Sequence, residues 1–148
     1  GGDGDDSLYG NGANDILLGG NGADQLYGGL GADQLTGGAG GDNFRFDSAL
    51  GASNVDTVTD FTVGQDLLAL SRNVFTAFGP GGTWSLGIVS SSAFTIGAGA
   101  STSAHRLIYN SGTGALSYDA DGIGGAAQVQ FASLSKGLAL TSSAFLLV

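Results

Sequence analysis

A chain of 148 residues, 42% of them hydrophobic, is long enough for one packed domain or two small ones sharing a core. Its net charge is −9, from 13 acidic and 4 basic residues, and four cations are too few to neutralise a useful number of nucleic-acid phosphates. There is no Cys, which excludes a disulfide framework and a thiolate zinc site, and no apolar run is long enough to span a membrane as a helix.

Every acidic residue is Asp; Glu is absent. That bias points to a short carboxylate needed at fixed positions. The first 45 residues supply the positions when written in nines: GGDGDDSLY, GNGANDILL, GGNGADQLY, GGLGADQLT, GGAGGDNFR. Position 6 is Asp6, Asp15, Asp24, Asp33 and Asp42. Position 8 is Leu8, Leu17, Leu26, Leu35 and Phe44. Positions 1, 2 and 4 are Gly except at Asn11 and Ala13. A single copy would read as a flexible Gly-rich linker. Five in register, each with an apolar residue at position 8, read as a structural repeat of the parallel β-helix type.

The glycines allow a tight turn with its carbonyls turned inward, and the last three residues of each nine form a short strand whose middle residue faces the interior. Two nines make one coil, so residues 18 apart stack. One edge carries Asp6, Asp24 and Asp42, and the other Asp15 and Asp33. Stacked strands lie about 4.8 Å apart, and two carboxylates at that spacing repel by roughly 3.5 kcal/mol at an effective dielectric of 20. A cation between them reverses the sign. Calcium suits the donors, as a hard ion taking 6–8 carboxylate and carbonyl oxygens. One buried side chain per nine residues returns less than the backbone ordering costs, so the segment is expected to fold only with the ion.

From Phe46 onward the register is lost, and Gly51 stands where the next Asp would fall. Val55 to Phe61 and Asp66 to Leu70 read as strands, and Gly79-Pro80-Gly81-Gly82 as a loop. Arg106 to Tyr109 and Ala115 to Tyr118 read as a hairpin around Asn110 to Gly114. Gln128 to Phe131 reads as a strand, and Phe145 to Val148 as a short apolar end. A helix is expected near Ser71 to Phe78. The fold class is all-β: a right-handed parallel β-roll over residues 1–46, capped by a β-rich part over residues 47–148 that covers the apolar edge of the last coil. Asp56, Asp60 and Asp66 are either strand-edge and turn carboxylates or the completion of a calcium site with Gly28, Leu30 and Asp33. Asp119-Ala120-Asp121-Gly122 opens like an EF-hand loop but lacks the closing Glu, and reads as a plain turn.

Catalysis finds little support. His105 is the only His, and no H-E-x-x-H or G-x-S-x-G motif occurs. His105 is expected to be structural or at the surface.

The five nonapeptides resemble the hemolysin-type calcium-binding, or RTX, family. The stretches FRFDSAL, NVDTVTDFTVGQDLLALS, RLIYNSGTGALSYDADG and TSSAFLLV resemble the region after the last repeat in serralysin-type secreted proteases and related proteins. The resemblance implies about three calcium sites, with more open. One would use Gly1, Asp3 and Asp6 with Gly20, Gly22 and Asp24. A second would use Gly19, Asn21 and Asp24 with Gly38, Gly40 and Asp42. A third, on the other edge, would use Gly10, Gly12 and Asp15 with Gly29, Gly31 and Asp33. Asp3, Gly12 and Asn21 would act through main-chain oxygen. Asn11 and Ala13 would fall in a half-site facing upstream.

The same resemblance implies a non-catalytic C-terminal module of a protein secreted by a Gram-negative bacterium. Its export would run through type I (ABC transporter) machinery that reads a C-terminal signal, and calcium outside the cell would drive folding. The chain opens inside a repeat and without Met, so an upstream domain of the same chain is expected. The alternative is a polysaccharide- or cell-surface-binding module, for which Trp84, Tyr109 and Tyr118 are the candidate stacking residues.

Overall fold

The computed structural model of the protein describes residues 1–78 and 87–148. The loop expected at Gly79-Pro80-Gly81-Gly82, and Trp84, lie outside them. The repeats form β1 (Gly2–Asp3), β2 (Ser7–Tyr9), β3 (Ile16–Asn21), β4 (Gln25–Tyr27), β5 (Gln34–Ala39) and β6 (Asn43–Phe46). Strands alternate between two parallel sheets, β1-β3-β5 and β2-β4-β6. The period of 18 sets the register: Leu8 pairs with Leu26 and Leu26 with Phe44 in one sheet, and Leu17 with Leu35 in the other. Side chains alternate faces along a strand, so position 8 points inward in every repeat. Leu26, Leu35 and Phe44 are fully buried, and Leu8, in the first coil, is half-buried.

β3 and β5 are twice the expected three residues. They run on through the turn because Gly20 stays paired with Gly38 and Asn21 with Ala39. Stacked turns of identical shape preserve the ladder that the strands begin.

The second part adds β7 (Asp56–Val58), β8 (Leu67–Leu70), β9 (Gly87–Ile88), β10 (Phe94–Ile96), β11 (Leu107–Tyr109), β12 (Ala115–Tyr118), β13 (Val129–Ser133) and β14 (Phe145–Leu147). β7 pairs in parallel with β5 and then with β13, which leads on to β12, β11 and β10. β8 pairs in parallel with β6 and then with β14, which is followed by β9. The cap therefore extends both sheets of the roll, and each sheet crosses the 46/47 boundary. The core crosses it too: Phe46 meets Phe131 edge-on at 5.1 Å between ring centroids, and Phe131 meets Phe75 at 4.9 Å.

The hairpin falls where the sequence places it, with β11 and β12 antiparallel. Its turn closes through Gly114 N–H to Asn110 O at 2.7 Å, and Gly114 takes φ +86, which suits glycine. Two expectations need correction. The strand from Val55 to Phe61 stops at Val58, because Asp60 turns its carboxylate onto the N–H groups of Gly37 and Gly38. The helix near Ser71 to Phe78 is a turn followed by a single 3-10 turn, Thr76–Phe78. The β-branched Val74 and Thr76 and the short polar Asn73 favour helix weakly, and both Phe75 and Phe78 are drawn into the core. Among the described residues no helix is long and apolar enough to cross a membrane.

Candidate metal centre

The five repeat carboxylates form two ladders. Asp6 N–H donates to Asp24 Oδ1 at 2.8 Å, and Asp24 N–H to Asp42 Oδ1 at 2.9 Å. On the other edge Asp15 N–H donates to Asp33 Oδ1 at 2.8 Å. Asp24, Asp33 and Asp42 thus each give one oxygen to the coil before them. The second oxygen is different: Oδ2 of Asp6, Asp15, Asp24, Asp33 and Asp42 is buried and has no hydrogen-bond partner. Asp24, Asp33 and Asp42 are 1–2% exposed, and a buried carboxylate oxygen without a partner is costly. Among the described residues no basic side chain lies within ion-pair reach of these groups; the pair recorded is Arg45 with Asp47 at 3.6 Å.

Backbone carbonyls complete the gaps between coils. Carbonyls at positions 2 and 4 turn toward the following coil: Gly2 O faces the α-carbon of Gly20, Gly4 O that of Gly22, and Ala13 O that of Gly31. Carbonyls at positions 1 and 3 turn toward the preceding coil. Gly19 O faces Gly1, Gly28 O faces Gly10, and Asn21 O accepts from Gly4 N–H at 2.7 Å.

These directions change how the expected residues combine. Gly1 and Asp3 do not share a gap with Gly20 and Gly22, since the two pairs of carbonyls turn away from each other. Between Asp6 and Asp24 stand the carbonyls of Gly2, Gly4, Gly19 and Asn21. Between Asp24 and Asp42 stand those of Gly20, Gly22, Gly37 and Ala39. Between Asp15 and Asp33 stand those of Asn11, Ala13, Gly28 and Leu30. By the same repeat geometry Gly1, Asp3, Gly10 and Gly12 line the outer side of the first coil, and Gly29, Gly31, Gly38 and Gly40 face the cap. Asn11 and Ala13 are the two non-glycine residues with positive φ, at +72 and +82. They face downstream rather than upstream: Asn11 O accepts from Leu30 N–H at 2.9 Å. Asp3 also contributes a side-chain contact, accepting from Asn21 Nδ2 at 2.7 Å.

The donor set fits calcium. Each gap offers two carboxylates and up to four carbonyls, all hard oxygens in the number that ion takes. Among the described residues no three His, Cys, Asp or Glu side chains gather at one point, as expected where carbonyls supply half the donors or more. A Cβ on Gly19 would overlap both Asp24 Oδ2 and Gly37 O. The missing side chain is what leaves those two oxygens facing one space.

The ladders do not stop with the repeats. Asp33 N–H donates to Asp56 Oδ1 at 3.1 Å, and Asp42 N–H to Asp66 Oδ1 at 3.0 Å. Both newcomers are buried. Burial pushes the Asp56 carboxyl up to about 7, with the neighbouring Asp33 charge adding to the rise and the Asp33 N–H opposing it. Burial likewise raises Asp42, with the Asp66 and Asp24 charges adding and its hydrogen bond from the Asp24 backbone opposing. Asp56, Asp60 and Asp66 therefore do not converge on the fourth repeat: only Asp56 meets Asp33.

Other sequence candidates resolve plainly. Asp119 Oδ1 accepts from Asp121 N–H and Gly122 N–H at 3.2 and 2.8 Å, a side-chain-closed turn. His105 is half-buried and its Nδ1 accepts from Ser101 N–H at 3.2 Å. Tyr109 and Tyr118 are buried, and their hydroxyls serve the backbone of Ser135 and Ala77, so neither presents a face to a sugar.

Comparison with known proteins agrees with the repeat geometry. Residues 1–26 and 9–44 match the RTX calcium-binding nonapeptide repeat of the hemolysin type, in four copies. The first 44 residues are therefore RTX repeats, and the segment they build is a calcium-binding β-roll. Among solved structures, the solution structure of the AlgE6R3 subunit of the Azotobacter vinelandii mannuronan C5-epimerase is 25% identical, with 98% of this chain and 79% of that chain covered and a TM-score of 0.44. No curated protein matches the sequence.

Proposed function

We propose that this chain is a non-catalytic, calcium-triggered folding module of a secreted bacterial protein, with three ions held inside the repeats. The observation that carries the reading is the set of buried Asp Oδ2 atoms without partners, of which those of Asp6, Asp15 and Asp24 each face a carbonyl of the next coil, Gly19, Gly28 and Gly37. When bound, calcium supplies the positive charge that these oxygens otherwise lack. The chain's own part is to hold them: the Asp N–H to Oδ1 bonds fix the carboxylates of Asp24, Asp33 and Asp42, and the glycines keep the carbonyls in reach. The sites would be Asp6 and Asp24 with Gly2, Gly4, Gly19 and Asn21; Asp24 and Asp42 with Gly20, Gly22, Gly37 and Ala39; and Asp15 and Asp33 with Asn11, Ala13, Gly28 and Leu30.

Such a module stays unfolded and threadable where calcium is scarce and folds where it is abundant, which suits export before folding. Residues 47–148 serve as the cap and, on this reading, carry the signal for type I secretion, with the active part of the protein upstream. Two experiments test the proposal. Isothermal titration should count several calcium ions per chain, and none bound would contradict it. Fusion of residues 47–148 to a passenger should give transporter-dependent secretion, and retention of the passenger in the cell would remove the export part alone.

A further inference from the structure

We propose that the junction between roll and cap holds a fourth calcium site, closed by Asn54 and Asp56, and that the opposite edge has no counterpart. The inference rests on the calcium reading of the repeats and extends it to residues outside them.

Three contacts recur in the gaps within the roll. A position-4 N–H donates to the position-3 carbonyl of the next coil, as Gly4 does to Asn21 O at 2.7 Å and Gly22 to Ala39 O at 2.8 Å. A position-6 N–H donates to Oδ1 of the next Asp. The α-carbon of the position-1 glycine faces its own Asp Oδ2 together with the next coil's position-1 carbonyl.

All three recur at the junction with different atoms. Gly31 N–H donates to Asn54 Oδ1 at 2.6 Å, so a side-chain amide stands where the position-3 carbonyl would be. That amide is oriented by its own Nδ2, which donates to Ala49 O at 3.0 Å. Asp33 N–H donates to Asp56 Oδ1. A Cβ on Gly28 would overlap Asp33 Oδ2 and lie 3.1 Å from Asp56 Oδ2, so the second Asp56 oxygen stands where the position-1 carbonyl would be. Asp33 is 1% exposed and its Oδ2 has no partner. Two carboxylates, the Asn54 amide oxygen and the downstream-facing carbonyls of Gly29 and Gly31 make a hard-oxygen set like those of the repeats.

The other edge is closed by donors instead. Gln65 Nε2 donates to Gly40 O at 2.5 Å, and Thr62 N–H donates to Asp66 Oδ2 at 2.7 Å. Both Asp60 oxygens are taken by Gly37 and Gly38 N–H. Asp42 Oδ2 stays unpartnered there, and the atoms nearest the open side of the Gly37 α-carbon all belong to Asp42, whereas at Gly28 an Asp56 oxygen is among them.

Calcium stoichiometry at saturation, measured by isothermal titration and checked by metal analysis of the dialysed full chain, separates the cases. The wild type should bind four ions and Asp56→Asn three. Gly28→Ala should also bind three. It keeps both carboxylates in the chain but puts a methyl group where Asp33 Oδ2 faces Asp56 Oδ2, so that pair of oxygens is pushed apart, and Gly28 lies outside the positive-φ range, so the backbone tolerates it. This second variant keeps the test decisive if Asp56→Asn fails to fold. Asp66→Asn should keep four. Three ions in the wild type and in both junction variants would overturn the fourth site while leaving the repeat sites intact. A lost ion in Asp66→Asn would overturn the asymmetry. No calcium bound by the wild type would remove the repeat sites and this one together.

Discussion

Asp33 donates its backbone N–H to the Asp56 carboxylate at 3.1 Å across 23 residues, where the repeat would bridge 18. A ladder begun by identical repeats is continued by a non-repeat residue at the end of a longer loop. Asp66 does the same for Asp42 across 24 residues. The cap thus inherits the hydrogen-bond pattern of the roll together with its strands.

Asp24 lies between two gaps, whereas Asp6 borders one described gap. Asp24→Asn should therefore weaken two calcium sites and Asp6→Asn one. Hydrogen bonds and contacts to a charged group are worth about 1.5–3 kcal/mol each, so each affected site should lose roughly ten- to a hundredfold in affinity. Calcium titration of the two variants side by side checks the ratio; equal losses would contradict the shared role.

Phe145 is fully buried in β14, which covers the open edge of β8. Phe145→Ala should cost about 3–5 kcal/mol, read as a lower urea midpoint in saturating calcium. The ion count should not change, because the Phe145 side chain lies in the apolar core and supplies no oxygen to the Asp ladders. An unaltered midpoint would show that the roll does not need its cap.

The pH response of the calcium-free chain follows from Asp56. Its carboxyl is raised to about 7 in the fold, against 3.8 for the unperturbed group. Between those values the folded state holds a proton that the unfolded state has released, so stability falls as pH rises, by up to about 1.4 kcal/mol per pH unit. In chelator, residual β-structure should be greatest near the low end of that window and vanish toward neutrality. Calcium competes with the same proton, so its affinity should rise over the same range. Circular dichroism in chelator against pH checks the first statement, and a signal that grows with pH would contradict it.

The roll was legible because its signal is periodic. Asp at position 6 and an apolar residue at position 8 fix the two edges, the interior and the pairing of Leu8 with Leu26 and Leu17 with Leu35 before any coordinates. The cap strands were legible from β-branched and aromatic runs, though not their partners. Two things were hidden. Carbonyl direction is a property of backbone torsion, invisible in a Gly-rich string, so the expected sets joined Gly1 and Asp3 to Gly20 and Gly22, whose oxygens turn apart. The second was the continuation of the ladders. The reading in nines put Gly51 where the next Asp was due, and loops lengthened by five and six residues carried that role to Asp56 and Asp66. The run Asn54-Val55-Asp56 next to a broken register was the available clue.

Calcium dependence of folding is the central claim, and far-UV circular dichroism of the full chain tests it most directly. In excess chelator near pH 8 the spectrum should be that of a largely unfolded chain, and addition of calcium should restore the β signal reversibly. An unchanged β spectrum in chelator would contradict the account.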